Sequence, residues 1–442
     1  MKLYRALIRS KLDYGSIVYG SARPSYLASL DPVHHQGIRI ASGAFRTSPV
    51  ASLYVETGEP PLCLRRQMLT LQFATKLKSD IKNPAHETAF NNPLEHFFTR
   101  RPLAIKPFSL RVREAAEEAG VDLGQVSGWP QYLFSPWLVP PPKVILNLSN
   151  HPKTTIDPSV LKNKFLELFE SYKNYNPVFT DGSRANGKTG IGVAASNFQS
   201  SARLCDSASV YTAEACAILR ALGYIEKSPK TKHIIISDSL SCLMAIKNTD
   251  WASINIRLIL NNLTKLERQG KEIIFLWVPG HIGVSGNEKA DSLAKQALQL
   301  PRPTTNLVPY TDIKPKIKES LKTQWQSLWN NNTNNKLHEI QGEVGHGTLY
   351  RGLCRRDAVV LCRARIGHTH LTHSYLLKGE PAPVCFHCQV THTVKHIFTS
   401  CRAAAPLRQQ YFNNSAFADI FKNFTPTTIV QFLKDFGVYA LF

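Results

Sequence analysis

The sequence predicts an α/β protein whose central unit, residues 170–300, runs in the order βββαβαβα between two helical flanks. Three observations carry this. Short apolar runs separated by turn residues recur from Pro177 onward, and helix-period stretches follow the later runs. The flanks place apolar residues at helical spacing instead, with no strand alternation.

The first 80 residues read as helical, with Leu3, Leu7, Ile8 and Leu12 and then Ile38, Ile40, Ala41 and Leu64 to Leu71 at that spacing. Pro60-Pro61 interrupts them. Pro130, Pro136 and Pro140 to Pro142 mark a linker, which completes a first region at 1–145 and sets the boundary between 145 and 170. The central strands are Pro177 to Thr180, ending in Asp181-Gly182-Ser183, then Thr189 to Ser196 and Ser201 to Cys205. A helix capped by a hydroxyl residue runs from Thr212 to Lys227. His233 to Ile236 is a buried strand that ends at Ser237-Asp238, and helices follow over Ser239 to Lys247 and Ile254 to Gln269. Glu272 to Val278 is the last strand, and Asn287 to Leu298 the closing helix. The final region, 310–442, has a helical stretch at Ile317 to Trp329, an Asn-rich break at Asn330 to Asn335, a Cys/His cluster and apolar helix-like runs.

A chain of 442 residues exceeds one ordinary domain, and 43% hydrophobic against 19% charged residues gives real cores and excludes global disorder. Lys and Arg number 53 against 32 Asp and Glu, a net charge of +21. Basic residues outnumber acidic ones by 21 to 14 in residues 1–170, 15 to 10 in 171–300 and 17 to 8 in 301–442. The excess is therefore not a tail. A surface that tracks a polyanion backbone, and so nucleic acid in general, is expected. Lys2, Arg5, Arg9, Lys11 and Asp13 interrupt any signal-peptide core, and nowhere do about 20 apolar residues run together. An intracellular protein, nuclear or cytoplasmic and without a membrane partner, is expected. Nine unevenly spread cysteines point to reduced thiols or a metal site rather than a disulfide framework.

Four acids stand at telling places: Asp181 at the end of the first strand, Glu214 in the first turn of a helix, Asp238 after a buried strand and Asp291 one turn into the last helix. Singly, each has an ordinary reading as a turn residue, a helix N-terminal charge or an N-cap. Converging carboxylates repel unless cations neutralise them, so together they point to a hard-metal site for two Mg²⁺ or Mn²⁺ ions. His281 lies in Pro279-Gly280-His281-Ile282-Gly283, where glycines free a loop around a group that titrates near neutrality. Gly182, Ser183, Ser239 and Asn287, backbone and small polar groups beside these acids, are candidate substrate contacts.

Four motifs in this order, FTDGS (179–183), TAEACA (212–217), ISDSLS (236–241) and WVPGHIGVSGNEKADSLA (277–294), resemble type 1 ribonuclease H. The resemblance implies a three-layer fold around a mixed five-stranded sheet. It carries the catalytic, metal-binding carboxylates onto Asp181, Glu214, Asp238 and Asp291, and a mobile-loop histidine that assists proton movement or product release onto His281.

Cys385-x2-Cys388-x7-His396-x4-Cys401 supplies three thiolates and an imidazole suited to one tetrahedral Zn²⁺, with His387 and His392 as competing ligands and Cys354 and Cys362 upstream. The spacing resembles a zinc knuckle with a longer gap before the histidine. This cluster with LCRARIGHTHLTHSYLL (361–377), and LYRALIRSKLDYGSIVYGSA (3–22) at the other end, resembles the C-terminal part of a non-LTR retrotransposon reverse transcriptase polyprotein. Residues 1–145 would then be a helical remnant following the polymerase palm. No Tyr-x-Asp-Asp motif occurs, so the chain resembles a fragment that does not itself synthesise DNA. The expected function is an endonuclease, ribonuclease H, that cuts the RNA strand of RNA/DNA hybrids. Its rivals are an inactive element-derived nucleic-acid-binding protein and a related nuclease that cuts DNA.

Overall fold

A computed structural model describes residues 1–91, 93, 95–101, 104–150, 156–348, 350 and 352–442. It contains two compact units, one of Ala74–Asn91 and Val121–Lys316, the other of Met1–Phe73, Asn92–Gly120 and Ile317–Phe442.

The first of these units is built on six strands: β1 (Lys143–Ile145), β2 (Asn176–Ala185), β3 (Lys188–Ala195), β4 (Phe198–Leu204), β5 (Lys232–Ser237) and β6 (Glu272–Trp277). Their order across the sheet is β1-β6-β5-β2-β3-β4, antiparallel among β2, β3 and β4 and parallel from β2 through β5 and β6 to β1. The sheet is mixed, as expected, and the βββαβαβα order holds, with two helices between β5 and β6. Several element ends shift by one to three residues, and two larger differences concern the sheet. The first strand does not stop at Thr180 but continues through Asp181 to Ala185, because it pairs with β3 as far as Ala185 and Lys188. Asn186 and Gly187, at φ of 51° and 74°, turn the chain between them, the left-handed pair that matches strand twist in a two-residue hairpin.

The second difference is the sixth strand. Residues 143–145 follow three prolines and read as linker, yet they lie parallel to β6, with Val144 opposite Phe275. This pairs an edge that would otherwise expose a row of backbone donors and acceptors. Three residues are too few to show a two-residue alternation in sequence.

The helices of this unit are α1 (Pro158–Glu170), α2 (Val210–Lys227), α3 (Leu240–Lys247), α4 (Ile254–Arg268) and α5 (Ser285–Ala297). Asp157 starts α1 by accepting from the Ser159 N–H, with Pro158 at the first helical position. Its buried Leu161 and Phe165 share a core with Ile234 and Ile236 of β5 and Ile274 and Leu276 of β6. At about 2–3 kcal/mol for each large side chain, this face contributes as much as many whole elements. The alternate residues Ile235 and Phe275 are buried on the opposite face. Ser209 caps α2 by accepting from the Thr212 N–H. Helix α5 lies so close over β3 that a Cβ on Gly192 would fall 2.1 Å from the Ala290 carbonyl oxygen. Only glycine allows that approach.

The other unit is helical. Pro60-Pro61 separate helix Val50–Thr57 from helix Leu62–Ser79. Tyr4, Ile38 and Leu53 from the N-terminal stretch share a core with Cys362 and Ile366 of helix Arg355–Ile366. Glu56 is buried there but paired: Arg365 Nε donates to it at 3.0 Å and the Tyr350 hydroxyl also donates, which satisfies a charge that burial alone would penalise heavily. The helical stretch expected at Ile317 to Trp329 is a longer helix, Tyr310–Asn330, with Pro315 inside it. The last apolar runs are helices Ala405–Phe412, Phe417–Asn423 and Pro426–Asp435, which gather around Phe398, its ring 5.1 Å from that of Phe432.

Candidate active site

The site forms where β2, β5 and α2 meet. Thr180 pairs with Ser237 in the parallel ladder, so Asp181 and Asp238, each one residue further on, emerge side by side. Glu214 reaches them from the first turns of α2 because Gly182 has no side chain. A Cβ there would lie 2.7 Å from the Glu214 backbone nitrogen. Carboxylate oxygens of Asp181, Glu214 and Asp238 thus come within 4.8 Å of one another.

Three carboxylates at this separation, Asp181 and Glu214 buried and Asp238 half-buried, cannot all be ionised unaided. Burial, then the charges of Asp238 and Asp291, push the Asp181 carboxyl up to about 7. Burial, then Asp181 and Asp238, push Glu214 up to about 9. The Gly182 N–H donates to both carboxyls and opposes these shifts without cancelling them. Burial also raises Asp238, against the Asn287 carboxamide, which donates to it, and the nearby His281. Glu214 Oε2 is buried with no hydrogen-bond partner among the described residues. An all-oxygen donor set, an orphaned carboxylate oxygen and raised pKa values together fit a hard divalent cation such as Mg²⁺ or Mn²⁺.

Asp291, the fourth expected carboxylate, is not within that 4.8 Å group. It sits on α5 and accepts from Lys295 Nζ at 2.7 Å, although its charge still reaches Asp181. His281 is exposed at φ 58°, a left-handed conformation that costs a non-glycine residue about 1 kcal/mol or more. The glycine-flanked loop around it is held in place. Ile282 and Val284 are buried in the core that contains α1, and the Gly283 N–H donates to Glu288 Oε1 at 3.1 Å.

Of the expected substrate contacts, Gly182 and Ser183 are half-buried on β2 and Ser239 is half-buried beside Asp238. Asn287 is buried against Asp238, with its Oδ1 unpartnered among the described residues. The sequence reading missed Trp277, whose indole N–H donates to the Asp238 carbonyl at 3.0 Å and steadies the end of β5. The only signal for it was its place at the head of the last motif.

In the other unit, ligand atoms of Cys385, Cys388, His396 and Cys401 also lie within 4.8 Å of one another. Cys385 and Cys401 sulfurs are 3.9 Å apart, close to the edge of about 3.8 Å that a tetrahedron with 2.3 Å Zn–S bonds has. The Cys385 to Cys388 turn is closed by Gln389 N–H donating to the Cys385 carbonyl, with Val384 bridged to Thr391. Burial raises the Cys385 thiol, but N–H groups of His387 and Cys388 outweigh it and the net shift is downward, toward the thiolate. His396 Nε2 is buried and unpartnered among the described residues, while Nδ1 pairs with Ser400 Oγ at 3.0 Å. That leaves one ring nitrogen free for a metal and orients the ring through the other. His387 and His392 stand outside the group.

A family model described as RNase H matches residues 173–299. No curated protein matches the chain. Residues 173–299 are an RNase H domain with the RNase H-like fold, and the C-terminal Cys/His cluster is consistent with a zinc-knuckle-like motif.

Proposed function

We propose that the chain is a ribonuclease H that hydrolyses the RNA strand of RNA/DNA hybrids with two divalent ions held by Asp181, Glu214, Asp238 and Asp291. The convergence of Asp181, Glu214 and Asp238 in an RNase H domain carries this reading. Bound Mg²⁺ or Mn²⁺ would supply an activated water and neutralise the charge that develops on the phosphate. The protein's part is to bind and orient. Asp181, inside β2, and Asp238, just past the end of β5, offer oxygens from neighbouring strands, Glu214 offers its orphaned oxygen, and Asn287 and Trp277 hold Asp238 in place. His281, exposed beside Asp238, takes up or releases a proton at the edge of the site. Ser183, Ser239 and the Gly182 backbone meet the ribose.

The Cys385, Cys388, His396 and Cys401 group would hold one structural Zn²⁺, and the net charge of +21 supports further contact with nucleic acid backbones. The resemblance of 3–22 and 361–377 to a non-LTR retrotransposon polyprotein supports a retrotransposon origin, and no described helix is long and apolar enough to cross a membrane. An intracellular setting, nuclear or cytoplasmic, suits a hybrid substrate. One observation favours a second reading, a nucleic-acid-binding protein that no longer cuts: Lys295 engages the Asp291 carboxylate.

The test is end analysis of an RNA strand, labelled within a hybrid and incubated with the full chain in Mg²⁺ or in EDTA. The expected products, only with Mg²⁺, end in 3′-hydroxyl and 5′-phosphate, as attack by water on phosphorus with departure of the 3′-oxygen requires. Products ending in a 2′,3′-cyclic phosphate would refute the mechanism, and an intact strand would favour the binding-only reading.

A further inference from the structure

Helix α1 lies outside the matched span of 173–299, yet it is packed into the core of the RNase H unit. Leu161 and Phe165 share one cluster with Ile282 and Val284, the residues that flank Gly283 in the His281 loop. Lys162 follows Leu161 and is therefore carried to that loop. Its stem passes Gly283, where a Cβ would meet Lys162 Cδ at 3.7 Å and Nζ at 3.5 Å. The loop lies against the carboxylates, since a Cβ on Gly280 would fall 2.5 Å from Asp238 Oδ2.

The Lys162 ammonium has no ion pair or hydrogen bond among the described residues. Glu288, in the first turn of α5, accepts from the Gly283 N–H at 3.1 Å. An unpaired cation, half-buried along its stem against the loop that borders the acidic site, opposes the repulsion that those acids exert on an incoming phosphodiester.

We propose that Lys162 contacts a backbone phosphate of the bound nucleic acid, so that α1 is a working part of the nuclease site. The contact rests on the reading of that site as one that binds an RNA/DNA hybrid. Leu161 and Phe165 fix α1 and so the root of the Lys162 side chain beside the loop. It is a charge contact, so it adds affinity without base preference.

The experiment measures hybrid binding by the full chain carrying Asp238→Asn, by fluorescence anisotropy from about 50 to about 300 mM KCl. Lys162→Ala, Lys162→Arg and, as a control on the surface beyond α1, Lys173→Ala are each added to that background. Lys162→Ala is expected to weaken binding about 5–10-fold at low salt. It should flatten the slope of log affinity against log salt by about 0.7–0.9, the share of one phosphate contact. Lys162→Arg should restore both, with all variants melting together. An affinity and slope unchanged in Lys162→Ala would overturn the proposal, and so would an equal loss in Lys173→Ala, which would mean a general field. Cleavage by the Asp238 protein is scored separately, so a chain that binds hybrid without cutting it sinks the nuclease reading and leaves the Lys162 contact to stand or fall on the slope.

Discussion

Replacing Glu214 by Gln should stabilise the metal-free protein while removing a ligand. Glu214 is buried, and its carboxyl is pushed from 4.5 up to about 9, first by burial and then by Asp181 and Asp238. The folded state therefore retains a proton that the unfolded chain releases above about pH 4.5. Between that pH and about 9, the unfolded state binds fewer protons and stability falls as pH rises, by about 1.4 kcal/mol per unit. At about pH 7.5 the accumulated cost approaches about 4 kcal/mol, and sharing of protons with Asp181 and Asp238 reduces it to about 2–4. Gln mimics the protonated acid and avoids this cost. In EDTA at that pH, the variant should melt about 5–15 °C above the wild type, taking about 2–4 °C per kcal/mol for a unit of this size. At about pH 4 the two should melt together, because both states of the wild type are then protonated. Mg²⁺ should raise the wild-type melting temperature and move the variant much less, since ligand binding stabilises only the state that binds. The assay is differential scanning calorimetry across pH with and without Mg²⁺. A variant less stable than wild type at about pH 7.5 in EDTA would show that the three carboxylates do not repel in the fold, and the reasoning from burial and charge would fail.

Gly192→Ala should destabilise the RNase H unit by about 2–4 kcal/mol in urea titration, since the new methyl meets the Ala290 carbonyl at 2.1 Å and α5 must retreat from β3. His281→Ala should lower kcat about 10–100-fold with little change in KM, while His281→Gly should also relieve the left-handed strain and melt slightly higher. The chain should carry about one zinc by atomic absorption. Cys388→Ser should lose it and lower the melting temperature of the helical unit without changing Mg²⁺ affinity at Asp238.

Much of the site could be read from the sequence because the chemistry is local. Asp181, Glu214 and Asp238 each follow an apolar run or open a helix, and the parallel ladder of β2 with β5, which ends at Thr180 and Ser237, brings Asp181 and Asp238 together. The Cys and His spacing was readable for the same reason, since a two-residue turn between thiolates already fixes half of a tetrahedron. What escaped was set by partners distant in the chain. Lys143–Ile145 is a strand only because β6 offers an open edge, and nothing in three residues after Pro140 to Pro142 announces it. Helix α1 does carry local signals: Asp157-Pro158 is a start signal, and Leu161, Phe165, Leu168 and Phe169 recur on one helical face. It was obscured by lying in a stretch read as a boundary. Asp291 shows the opposite limit, since its position on α5 was clear while its pairing with Lys295, one turn on, depends on side-chain geometry.

The most direct test of the account is to offer the full chain a labelled RNA/DNA hybrid, duplex DNA and duplex RNA in Mg²⁺, beside the Asp238→Asn protein. Cleavage of the RNA strand of the hybrid alone, abolished by the substitution, is expected. Cleavage of duplex DNA, cleavage that survives Asp238→Asn, or tight hybrid binding with no cleavage at all would each contradict it.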